Sequence, residues 1–195
     1  MDANEYLLGL LAIISGLAVV DLLSSLHHLL AAKARVRWDW LAVTAAAGIA
    51  LVLVGSWWVS WQRFGSTPDI DLPLWRFILT LAQLSALYMA VRACLPDAVP
   101  DEGVDLADYY AGFSGYIWGA MLVANLLVVC AVVLSGWVLL TSDPSVWLAE
   151  NWPLLILTMS FATLVAVRRR ALHAVLVPAS TVWIAIGSLG ERLSG

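Results

Sequence analysis

Four side chains that can bind or pass a proton, Asp21, Ser24, Ser25 and His28, stand at i, i+3, i+4 and i+7, the spacing of one helix face. They interrupt a largely apolar run over 7–30. A carboxylate inside a lipid-spanning segment costs about 3 kcal/mol even on lenient insertion scales, so it faces a partner or a water-filled space. The chemistry open to this stripe is passage of a proton or small ion. The same residues serve equally as an interhelical hydrogen-bond cluster that holds a bundle together. Arg92, near the end of the third apolar run, lies at a depth compatible with Asp21 and would turn the carboxylate into half of a structural ion pair. Gln83, with Arg76 and Thr80, makes a second stripe at the other end of that run, and Asn125 sits near the centre of the fourth.

Ser114, in Gly112-Phe113-Ser114-Gly115, and His173 begin the fourth and sixth apolar runs and fall at the same membrane face. A serine at a helix start acts as a nucleophile when a histidine in reach takes its proton. The segment resembles the Gly-x-Ser-Gly motif of the rhomboid intramembrane proteases, also six-helix proteins, and the resemblance implies a dyad of Ser114 and His173. The second run carries no His-x-x-x-Asn pattern, and no glycines follow His173 as they do in that family. Ala111, Gly115 and Gly119, spaced by four, also read as a stripe for close helix packing, which needs no chemistry. His28 and His173 are the pair that could ligate a haem from facing helices. Their alternative is titration at the membrane surface, and no cofactor is expected. Cys94 and Cys130 have no spacing for a disulfide framework or a zinc site.

These residues have to be positioned by helices. The chain is 62% hydrophobic and 12% charged, with 11 Trp in 195 residues, outside the range of soluble domains. A net charge of −4 without a basic stripe excludes a nucleic-acid partner. A hydrocarbon core of about 30 Å needs roughly 20 apolar residues per helix. That ruler predicts an all-α polytopic transmembrane bundle of about six helices in one domain, 1–195, at 6–30, 40–61, 74–95, 112–140, 153–167 and 172–189. Asp2 and Glu5 stand where a cleaved signal would be basic, so the first run is expected to be a retained helix.

Lys33, Arg35, Arg37, Arg92 and Arg168 to Arg170 fall on one side, against Arg63, Arg76 and Arg192 on the other; the excess of seven to three predicts both termini outside. The Trp38–Trp40 and Trp57, Trp58, Trp61 groups fit interfacial belts at the two ends of the second helix. The 96–110 connection carries turn signals, and Asp105 followed by Asp108 has the pattern of a helix cap with an acid in the first turn, which would start the fourth helix before the membrane. The short 168–170 turn predicts that helices five and six form an antiparallel hairpin. The stretch 16–23 also echoes 120–127, which would make Asp21 and Asn125 equivalent positions of two inverted three-helix repeats.

A broader likeness runs through the opening 5–17 segment, Arg35-Val36-Arg37-Trp38-Asp39-Trp40, the Trp57-Trp58 pair with Trp61, and Asp105-Leu106-Ala107-Asp108-Tyr109-Tyr110. In these the chain resembles a group of small six-helix bacterial integral membrane proteins. The resemblance implies a bacterial inner-membrane, multi-pass location and brings no activity, cofactor or catalytic residue. The expected role is a small channel- or transporter-like unit built around an intramembrane carboxylate. The alternatives are a non-catalytic membrane subunit of a larger assembly and a rhomboid-like serine protease. Six short helices enclose little volume, so partners beyond the lipid bilayer are expected to be further copies of the chain or another membrane protein.

Overall fold

The computed structural model describes residues 3–65, 73–139 and 144–190. Six helices follow one another: α1 (Ala3–Ala31), α2 (Trp40–Gly65), α3 (Leu74–Cys94), α4 (Leu106–Leu139), α5 (Pro144–Ala166) and α6 (Arg170–Gly190). Four carry stretches long and apolar enough to cross a membrane, Tyr6–Ala31, Trp40–Gln62, Leu74–Cys94 and Leu106–Ser135. Shorter apolar helical stretches follow in α5 and α6, Asn151–Ala166 and Arg170–Ile186. The protein is an all-α polytopic bundle.

Two helices begin six or more residues earlier than expected. α4 starts at Leu106 rather than 112 because Asp105 caps it: one carboxylate oxygen accepts the amides of Ala107 at 2.8 Å and Asp108 at 3.4 Å. α5 starts at Pro144 rather than 153 and runs through Pro153. A proline at a helix start costs no intrahelical bond, which suits Pro144 to the first turn. Pro153 breaks one bond inside the helix, a loss that transmembrane helices tolerate. Arg192, one of the outer charges, lies outside the described residues.

α1 packs on α2 and α3 through Leu7, Leu11, Ser15, Ala18, Ser25 and Leu29, one stripe at helical spacing. α3 packs chiefly on α4, and α4 on α5. α6 turns away from α5 and lies mainly along α2, so the short connection does not make a closely packed hairpin. The reason is visible at Gly48 of α2: a Cβ there would collide with the Thr181 hydroxyl of α6. The missing side chain lets the two helices approach. Ile13, Leu17, Val20 and Leu23 of α1 face outward, as expected where lipid is the solvent.

At the end where α1, α3 and α5 finish, the connectors are joined to one another. A single 3-10 turn, Lys33–Arg35, leads into β1 (Val36–Arg37), which pairs in parallel with β2 (Val104–Asp105) from the α3–α4 connection. The approach is close because Gly103 has no side chain: its φ is +93°, and a Cβ would lie 2.5 Å from the Arg35 carbonyl oxygen.

Candidate functional site

The polar residues of this end form a clasp over three connectors. Arg35 pairs with Asp101 at 3.0 Å and Arg37 with Asp105 at 2.9 Å, fastening the two-stranded bridge from both sides. Asp39, 6% exposed, does two jobs. One oxygen accepts the Ala42 amide at 3.2 Å and caps α2; the other takes an ion pair from Arg170, the first residue of α6.

The stripe on α1 engages this clasp. Tyr88 of α3 donates its hydroxyl to Asp21 at 2.8 Å, and the Arg92 guanidinium lies 3.7 Å from the same carboxylate oxygen. Arg92 also donates to Asp97 at 3.0 Å. Ser25 donates to the other Asp97 oxygen at 3.4 Å, and His28 donates through Nδ1 to the Asp97 backbone carbonyl at 2.8 Å. Asp21, Ser25, His28 and Arg92 are thus brought into one network. Ser24 is exposed on α1 outside it, and Gln83 on α3 joins no cluster among the described residues. Tyr88 is six residues before the end of α3, about 9 Å along the axis. The residue that holds the carboxylate therefore lies about 6 Å to the clasp side of the midplane of that helix.

A second network is buried between α4 and α6. His173, 2% exposed, sets its Nε2 3.0 Å from the Val167 carbonyl oxygen, which only accepts, so the proton sits on Nε2. Nδ1 of the neutral ring then accepts from the Tyr110 hydroxyl at 2.8 Å, and the Tyr110 oxygen accepts the Trp118 indole N–H at 2.9 Å. Every polar atom in the row Trp118, Tyr110, His173, Val167 has a partner. Ser114 is buried on α4 too, but its hydroxyl donates to the Ala111 carbonyl at 3.2 Å. Both ring nitrogens of His173 are committed elsewhere, so the ring does not serve Ser114 as a base in this geometry. The same commitment leaves His173 no free nitrogen for a haem shared with His28.

Asn125 donates to the Thr158 hydroxyl at 2.6 Å and to the Leu154 carbonyl at 3.3 Å, joining α4 to α5. Asp21 joins α1 to α3, so the two residues of the internal echo serve separate interfaces. At the other end Arg76 donates to the Ser135 hydroxyl of α4 at 3.4 Å. Of the small residues on α4, Ala111 is exposed and a Cβ on Gly119 would meet nothing within 4 Å. A Cβ on Gly115 would lie 3.4 Å from an Arg168 nitrogen. A cavity between Gly48, Trp118, Phe161 and Thr181 has room for about one water.

Asp39, Tyr88, Asp97, Tyr110, Trp118 and Arg170 are the participants that spacing does not single out. Only Asp39 carries a local signal, an acid immediately before an apolar helix. No family model, curated protein or solved structure matches the chain.

Proposed function

We propose that the chain is a non-catalytic membrane subunit of an assembly in a bacterial inner membrane, with the clasp on the cytoplasmic side and both termini outside. The observation that carries this reading is the engagement of Asp21: Tyr88 and Arg92 hold it and tie α1 to α3, while Asp97, paired with Arg92, meets Ser25 and His28 of α1. An intramembrane carboxylate satisfied in this way holds helices together. The seven basic residues of the clasp end support its cytoplasmic placement. The open small-residue stripe at Ala111 and Gly119 is the contact offered to a second copy or another membrane protein.

A proton- or ion-conducting unit is the second reading. It is favoured by the 30% exposure of the Asp21 side chain and by the 3.7 Å separation from Arg92, longer than a tight ion pair. Purified protein in liposomes with an internal pH dye separates the two under an imposed potential. The subunit reading expects no flux from wild type or Asp21→Asn, a lower unfolding midpoint for the variant, and a change of particle size in detergent for Gly119→Leu. Flux from wild type that Asp21→Asn abolishes would establish conduction instead.

A further inference from the structure

The clasp end holds seven cationic side chains, Lys33, Arg35, Arg37, Arg92, Arg168, Arg169 and Arg170. Carboxylates take four: Asp101 holds Arg35, Asp105 holds Arg37, Asp21 and Asp97 hold Arg92, and Asp39 holds Arg170. Lys33, Arg168 and Arg169 have no ion-pair partner among the described residues.

The two arginines differ from Lys33 in where they are held. Both lie in the connection before α6, and the Arg169 carbonyl accepts the amides of Leu172 and His173, which fixes the turn. The Arg168 guanidinium lies along the backbone of α4 at Gly115. Gly115 is nine residues past the start of α4, about 13 Å along its axis, and Phe113 and Tyr116 beside it are about half exposed. Aromatic rings in that position suit the membrane interface. A cation against this flank has lipid beside it, and the counter-charge within reach there is a headgroup phosphate. The planar guanidinium matches phosphate through paired hydrogen bonds, and basic sites between transmembrane helices on the cytoplasmic side take anionic headgroups.

We propose that Arg168, beside Gly115 of α4, and its chain neighbour Arg169 bind the phosphate headgroup of an anionic phospholipid. The site is independent of whether the chain conducts ions.

The full chain, stripped of lipid in detergent, is titrated with dioleoylphosphatidylglycerol, dioleoylphosphatidylcholine or inorganic phosphate, and bound lipid is read by native mass spectrometry. Phosphatidylglycerol is expected to be retained over phosphatidylcholine, and Arg168→Gln/Arg169→Gln to weaken it by about 25-fold, about fivefold for each charge removed. Lys33→Gln is expected to leave retention unchanged. Should the double glutamine variant not fold, Arg168→Lys/Arg169→Lys replaces it; it keeps the charges, loses the planar fork and is expected to bind more weakly than wild type. Equal retention of the two lipids by wild type overturns the proposal. So does an equal loss in Lys33→Gln, which would mean a diffuse surface charge, or displacement of the lipid by millimolar inorganic phosphate, which would mean a site for a free anion.

Discussion

Asp39 gives the sharpest test of the clasp, because its two oxygens perform separable tasks. Asp39→Ala removes both; Asp39→Asn keeps an oxygen for the Ala42 amide and loses the charge that meets Arg170. Loss of an N-cap costs about 1 kcal/mol, and asparagine caps as well as aspartate. Two unit charges about 4 Å apart near a protein surface attract by about 4 kcal/mol at an effective dielectric constant of about 20, before the cost of desolvating and ordering them is subtracted. The Arg170 side chain is 56% exposed, so screening reduces the net pair to about 1 kcal/mol. The sum predicts a loss of about 2 kcal/mol for Asp39→Ala and about 1 kcal/mol for Asp39→Asn. Arg170→Gln should cost at least as much as Asp39→Asn, since it leaves a buried carboxylate without its cation. In a cycle of Asp39→Ala with Arg170→Gln, the double variant should lose about 1 kcal/mol less than the sum of the singles. Equilibrium unfolding in mixed micelles on addition of sodium dodecyl sulfate, followed by tryptophan fluorescence, measures the wild type and the four variants. Equal losses for Asp39→Asn and Asp39→Ala would refute the cap, and strict additivity would refute the pair.

Two further predictions concern the α6 interfaces. His173→Phe deprives the Tyr110 hydroxyl of its acceptor and the Val167 carbonyl of its donor, at a cost of about 2 kcal/mol, and combination with Tyr110→Phe should cost less than the two separately because both delete one shared bond. Thermal unfolding in detergent checks this, and simple addition would count against a continuous network. Gly48→Ala should destabilise by about 1–3 kcal/mol through its clash with the Thr181 hydroxyl, and by less in a Thr181→Ala background, where only an ordinary contact remains. An equal loss in both backgrounds, by the same assay, would show that α2 and α6 do not meet at this point.

Much of the helical framework is legible as hydrophobic length, because a lipid-spanning helix must be apolar along its whole run. The cap at Asp105 and the pairing of Arg92 with Asp21 are also legible, since each follows from local spacing or common depth. Other partners are not. Tyr88, Tyr110 and Trp118 lie in apolar runs where an aromatic ring reads as lipid-facing or packed, and nothing nearby in sequence shows what its polar atom meets. Arg170 and Asp97 first read as charges that set topology or mark a loop; their partners lie 131 residues away in one case and 72 in another. The start of α5 was obscured by Pro153, which reads as a helix beginning and is an interior residue. The path of α6 along α2 depends on the fit of Gly48 to Thr181, a tertiary match that neither segment shows alone.

The sequence separation inside the clasp also imposes an order on biogenesis. Arg35 cannot meet Asp101, nor Asp21 meet Tyr88, until more than sixty further residues have been made. Asp39 waits longest, because its cation arrives with the first residue of α6. A nascent chain that stops before that point carries a membrane-surface carboxylate with no counter-charge, beside an α2 face that α6 has not yet covered. Arrival of α6 is thereby recorded by one late ionic contact, and a chain that has not yet gained that helix differs from one that has in an unpaired carboxylate at the end of the bundle.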